Sequence, residues 1–143
     1  MDIFINILAL VNTSIFVTLS IIHLYWAFGG KRGSQAVIPQ TLDGQPTMNP
    51  GALITIVVAL GLLLLAVTTV NMFFFWINMY YYKIGMWAIA LIFYLRAVGD
   101  FKQVGFTKKI KGTLFAEYDT KYYSPLSLYL GTSSLLIILF QNA

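Results

Sequence analysis

The sequence contains no cysteine and a single histidine, His23. The first absence excludes disulfides, thiol nucleophiles, thiol redox chemistry and thiolate-bound metals or clusters. The second excludes a His-pair or His-triad metal site built within one chain. Charge is also scarce. Charged residues make up 10% of the 143, where a soluble domain carries about a quarter. Hydrophobic residues account for 59% and aromatics for 16%, more than a chain in water can hold without very large exposed apolar patches. A soluble globular enzyme, a disordered regulator and a nucleic-acid-binding domain are therefore excluded, despite the net charge of +4.

What is present is a set of long apolar blocks. A bilayer-crossing helix needs roughly 20 apolar residues, and four stretches qualify, at about residues 3–28, 51–76, 80–98 and 125–140. Backbone exposed to lipid must satisfy its own hydrogen bonds, and segments this long are not barrel strands, so all four are read as helices. The expected fold is all-α: a four-transmembrane-helix bundle forming one integral membrane domain over residues 1–143. The first span does not read as a cleaved signal peptide. Asp2 stands where a basic segment belongs, and Lys31 and Arg32 follow the span.

Orientation follows from the basic residues. With four spans, the loops after the first and third share a face. That face carries Lys31, Arg32, Lys102, Lys108, Lys109, Lys111 and Lys121, and the other only Lys83. The positive-inside rule then puts both loops in the cytoplasm and both termini outside. The aromatics from Phe73 to Tyr82 suit an outer interfacial belt around a tight connection at Asn78.

The costly side chains gather at the cytoplasmic ends of the spans. His23, Tyr25 and Trp26 end span one; Arg96 and Asp100 close span three; Asp119, Lys121, Tyr123 and Ser124 lead into span four. Asn49-Pro50 and Ser124-Pro125 each read as an N-cap followed by proline at the first helical position. Two free helix N-termini there, with Arg96 and Lys121, would make an electropositive pocket for a phosphate or carboxylate. Ligand-binding candidates are Tyr25, Trp26, Arg96, Asp119, Lys121, Tyr123 and Ser124. His23, on one helical stripe with Asn12, Phe16 and Leu19, is the candidate acid or base, and Asp100 the carboxylate that would orient it.

Blander readings stand beside these. Arg96 is within snorkelling reach of the headgroups, and its i, i+4 spacing to Asp100 suits an intrahelical ion pair. A hydrogen bond across helices accounts for His23, and Tyr25 and Trp26 suit interfacial anchors. The lysine-rich loop 101–123, interrupted by Gly105 and Gly112, is expected to lie in the membrane interface with its lysines on anionic headgroups. The glycine- and proline-containing loop 29–49 reads as a polar connector. Ser127 and Gly131 form a small-xxx-small pair that favours close helix packing. No phosphate-binding loop, nucleophile elbow or metal-binding helix motif is present.

Three blocks carry a resemblance: His23-Leu24-Tyr25-Trp26-Ala27-Phe28-Gly29-Gly30, Leu95-Arg96-Ala97-Val98-Gly99-Asp100-Phe101, and Asp119-Thr120-Lys121-Tyr122-Tyr123-Ser124-Pro125-Leu126. Together they resemble the bacterial domain-of-unknown-function family 3995, small four-span membrane proteins. The resemblance implies a multi-pass protein of the bacterial inner membrane and no established activity.

Three functions remain in view. The first is binding of an anionic amphiphile or small anion at the cytoplasmic leaflet, with His23 available for proton transfer. The second is a non-catalytic assembly subunit, and the third a small transporter subunit. The expected partners are the lipid bilayer and a bound lipid or small anion, with a homodimer or protein partner left open and no nucleic acid. No cofactor and no metal is implied.

Overall fold

Backbone amides in an apolar run have no water to turn to, and the chain answers with helices. The computed structural model describes residues 2–141. Its elements are α1 (Asp2–Ala27), α2 (Ser34–Val37), α3 (Ala52–Phe74), α4 (Met79–Val98), α5 (Leu114–Tyr118) and α6 (Ser124–Phe140), with one π-helical turn, Asp119–Tyr123, between α5 and α6. Four helical runs are long and apolar enough to cross a membrane: Ile3–Ala27, Ala52–Phe74, Met79–Val98 and Leu114–Phe140. The first three agree closely with the expected spans.

The fourth run begins earlier than the sequence suggests. Ser124 is not a cap but an ordinary right-handed helical residue, and its N–H donates to the Asp119 carbonyl five residues back. Proline in a regular α-helix lacks an N–H and collides with the carbonyl four residues before it. The π turn widens the helix just ahead of Pro125, so the helix passes through the proline instead of starting there. Asn49-Pro50 is corrected too, because α3 starts at Ala52 with Gly51 as its cap and no side-chain capping bond. The two proline-marked helix starts expected beside the basic loops are therefore absent.

α1 packs along α3 and α4 along α6, and the two pairs are joined mainly through α1 against α6. Ile5, Ala9 and Phe16 of α1 share the core with Met86 and Ile89 of α4 and Leu130 and Ile137 of α6. A polar clamp crosses the α1–α6 seam. Asn12 is wholly buried, donates to Ser133 at 2.8 Å and accepts from the same hydroxyl at 3.0 Å. Small residues permit close approach where helices touch. Gly131 lies against Ala90 and Tyr94 of α4, and Gly85 against Thr68 of α3. Leu53, Ile54, Val57, Leu60 and Leu64 of α3 point outward and exposed, a surface suited to lipid and costly in water.

The α3–α4 turn is held by Asn71, whose side chain donates to the Ile77 carbonyl at 3.2 Å and accepts from its N–H at 2.6 Å. Asn78 then caps α4 by accepting from the Tyr80 N–H at 2.9 Å. At the opposite end, here called the loop end, α2 of the first loop packs on α5 of the second. The two basic loops thus form one face.

Candidate functional site

The site grows out of the end of α4. Gly99 stops the helix with φ 90°, and Gly105 turns the chain back with φ 85°. The two glycines lie so close that a Cβ on Gly99 would overlap the Val104 carbonyl and one on Gly105 the Val98 carbonyl. Only glycine meets both conditions. The returning segment then satisfies carbonyls that α4 leaves open. Phe106 N–H donates to Ala97 at 2.8 Å, and the Thr107 hydroxyl donates to Val98 at 2.6 Å.

This fold-back delivers Lys108 into the protein. Its ammonium donates to the Gly105 carbonyl and to Asp119 Oδ2, both at 2.9 Å. Asp119, the first residue of the π turn, has no exposed surface. Its Oδ1 accepts from Arg96 Nη2 at 2.7 Å. Its Oδ2 also accepts from Gly105 N–H at 2.9 Å and from the Ser124 hydroxyl at 3.0 Å. One carboxylate thus gathers four donors from α4, the loop and the helix leading into α6. Isolated burial of such a charge would be prohibitive, and the two cations and the hydrogen bonds offset it.

The cluster is not neutral. Two cations face one carboxylate, and Arg96 Nη1 is buried without a hydrogen-bond partner among the described residues. The Arg96 side chain as a whole remains 32% exposed.

Asp100 does other work. Its Oδ1 accepts from the N–H groups of Lys102, Gln103 and Val104 at 2.9, 2.7 and 2.8 Å. Withdrawal from water acts to raise its pKa, but these amides outweigh that effect and hold the carboxyl below the ordinary aspartate range. The expected Arg96–Asp100 ion pair is therefore corrected: α4 ends at Val98, Gly99 swings Asp100 off the helix face, and Arg96 pairs with Asp119.

The span-one residues make their hydrogen bonds outside this cluster. His23 is half-buried, with Nδ1 2.7 Å from the Leu19 carbonyl of its own helix and its ring edge-on to Trp26 at 5.1 Å. A carbonyl can only accept, so Nδ1 carries the proton in this bond. Trp26 donates from its indole N–H to the Arg32 carbonyl at 2.9 Å. The Tyr25 ring lies so close over Gly30 that any Cβ there would collide with it. Both aromatics pin the start of the first loop. Among the described residues no hydrogen bond links His23, Tyr25, Trp26 or Asp100 to the Asp119 carboxylate. Nor does a hydrogen bond join Asp100 to His23 among the described residues.

Of the other candidates, Ser124 belongs to the cluster directly. Tyr123 is half-buried and packs toward Phe115, ring centroids 6.2 Å apart. Lys121 is exposed, with its ammonium 5.2 Å from the centre of the Tyr122 ring. An open depression of about 670 Å³ runs along α5 and includes Lys111, Glu117 and Lys121 in its lining. Sequence reasoning missed Lys108 and Gly105. The six-residue spacing of Gly99 and Gly105 is a signal that could have pointed to the fold-back, but nothing in the sequence sets Lys108 apart from the neighbouring lysines.

A family described as a protein of unknown function, DUF3995, matches residues 16–134 of the chain. No curated protein and no solved structure matches it.

Proposed function

The chain belongs to the DUF3995 family of unknown function, and from that premise we propose that it is a multi-pass bacterial inner-membrane protein that binds an amphiphile with an anionic headgroup at the cytoplasmic leaflet. In this reading the termini lie outside and both basic loops inside, as the seven-to-one distribution of basic residues favours. The observation that carries it is the cation excess at the loop end. Arg96 and Lys108 share one carboxylate, and Arg96 keeps a buried nitrogen without a hydrogen-bond partner among the described residues. An anionic oxygen at that nitrogen would give it a partner and balance the charge.

His23 enters as a neighbour on the same end, with Nε2 left over once Nδ1 is engaged. Asp100 Oδ1 is engaged by the 102–104 turn, which leaves Oδ2 as the oxygen that could orient His23 in any proton transfer.

The test is native mass spectrometry of the full chain released from membranes in mild detergent. Wild type is expected to carry a bound anionic amphiphile. Arg96→Lys preserves a cation for Asp119 but removes the second guanidinium nitrogen, and is expected to lose most of that ligand at near-normal thermal stability. Lys121→Gln, at an exposed position, provides a variant with no folding burden and is expected to lower retention. Equal ligand in all three proteins overturns the reading. A second reading, a non-catalytic assembly subunit, is favoured by the hydrogen-bond saturation of Asp119, which suits a structural latch; co-purification of one stoichiometric protein in place of lipid would select it.

A further inference from the structure

We infer that the depression along α5 receives a lipid headgroup bearing both a phosphate and a primary ammonium, the phosphoethanolamine class. The depression is not lined by Arg96 and its occupant is zwitterionic, so this goes beyond the anionic-amphiphile reading and rests on it only for the membrane location of the loop end.

Depth is the first argument. The helical run Leu114–Phe140 has 27 residues, which at 1.5 Å per residue is roughly 40 Å. The hydrocarbon core is about 30 Å thick. With Phe140 near the far boundary, about two turns at the Leu114 end stand beyond the hydrocarbon, at headgroup level. The depression is lined by residues of this stretch and of the loop just before it.

Charge pattern is the second argument. Lys111 and Lys121 line the depression, and Glu117 lines it with them. All three are exposed. The ion pairs among the described residues both belong to Asp119, so Glu117 has no cation within ion-pair distance. Glu117 acts on Lys121 one turn along the helix without ion-pair contact, and a site meant only for an anion gains nothing from that carboxylate, because like charges repel. A site with cations and a carboxylate fits a headgroup that carries both signs: the phosphate meets the two lysines and the ammonium meets Glu117. Exposed Leu114 and Tyr118 on the same short helix offer apolar surface where the acyl chains would descend.

The test is a competition by native mass spectrometry, with full-length protein in detergent given equal amounts of phosphatidylethanolamine and phosphatidylglycerol, and diacylglycerol as the uncharged control. Glu117→Gln removes one exposed charge and is not expected to disturb the fold, which thermal unfolding checks. The ratio of retained phosphatidylethanolamine to phosphatidylglycerol is expected to fall about threefold to fivefold in Glu117→Gln, the scale of one charge at a membrane surface. Lys111→Gln with Lys121→Gln is expected to weaken both lipids. A ratio that is unchanged or higher in Glu117→Gln overturns this inference while leaving the proposed function intact. Retention of neither phospholipid above the diacylglycerol control overturns both.

Discussion

Lys108 and Asp119 form an ion pair of 2.9 Å with side chains 2% and 0% exposed. It joins a loop that has no regular secondary structure to the head of the last helix. The lysine arrives there because Gly99 and Gly105 let the chain double back on α4, and the aspartate because the π turn ahead of Pro125 rotates it inward. Arg96 takes the other carboxylate oxygen, so three segments distant in sequence meet at one group.

Removing the shared anion should therefore cost more than removing either cation. Asp119→Asn leaves Arg96 and Lys108 facing each other without compensation, and is expected to destabilise the protein by about 3–5 kcal/mol. Lys108→Met leaves the Arg96 pair in place and should cost less. Unfolding in detergent measures both. A change of only a few tenths of a kcal/mol in Asp119→Asn would mean the cluster does not hold the loop.

The glycine pair makes a separate prediction about accessibility. In wild type, Lys108 should resist acetylation by a water-soluble reagent while Lys102, Lys109 and Lys111, all exposed, react. Gly105→Ala forces a Cβ into the Val98 carbonyl at a backbone conformation that suits glycine, so the fold-back opens. Lys108 should then react like its neighbours in peptide mapping. Equal reactivity of all four lysines in wild type contradicts the fold-back.

Asp100 gives the loop an acid limit. A carboxyl with a lowered folded pKa adds stability that is present above the unfolded value and lost as pH falls through the folded one. The 102–104 turn should hold across neutral pH and loosen only below about pH 4. Amide NMR shifts of Lys102, Gln103 and Val104 in micelles should titrate together in that range, and the step should vanish in Asp100→Asn. A midpoint above pH 5, or a step that survives the substitution, contradicts this role.

Much of the architecture could be read in the sequence because lipid imposes one rule on every span: a long apolar run closing its own hydrogen bonds. The ends of α1, α3 and α4 follow from where those runs stop. The start of the fourth helical run did not, because a proline after serine usually begins a helix, and only the π turn shows how the chain carries on through it. Arg96, Asp119 and Ser124 stood out as costly polar residues at one end. Their partner Lys108 did not, because burial of one lysine among several depends on the path of an irregular loop. Asp100 sat four residues from Arg96, the right spacing on a helix, but the helix ends two residues before it. His23 shared a stripe with Asn12, yet Asn12 reaches across to Ser133 while His23 bonds back to its own helix.

Binding at the cytoplasmic leaflet requires the basic loop face to lie in the cytoplasm. Because the chain has no cysteine, single cysteines report position without background. Lys109→Cys at the loop end and Tyr81→Cys at the turn end would be treated with a membrane-impermeant thiol reagent in right-side-out and inverted vesicles. The account predicts labelling of the Tyr81 position only in right-side-out vesicles and of the Lys109 position only in inverted ones; the reverse pattern, or labelling of both positions from the same side, contradicts it.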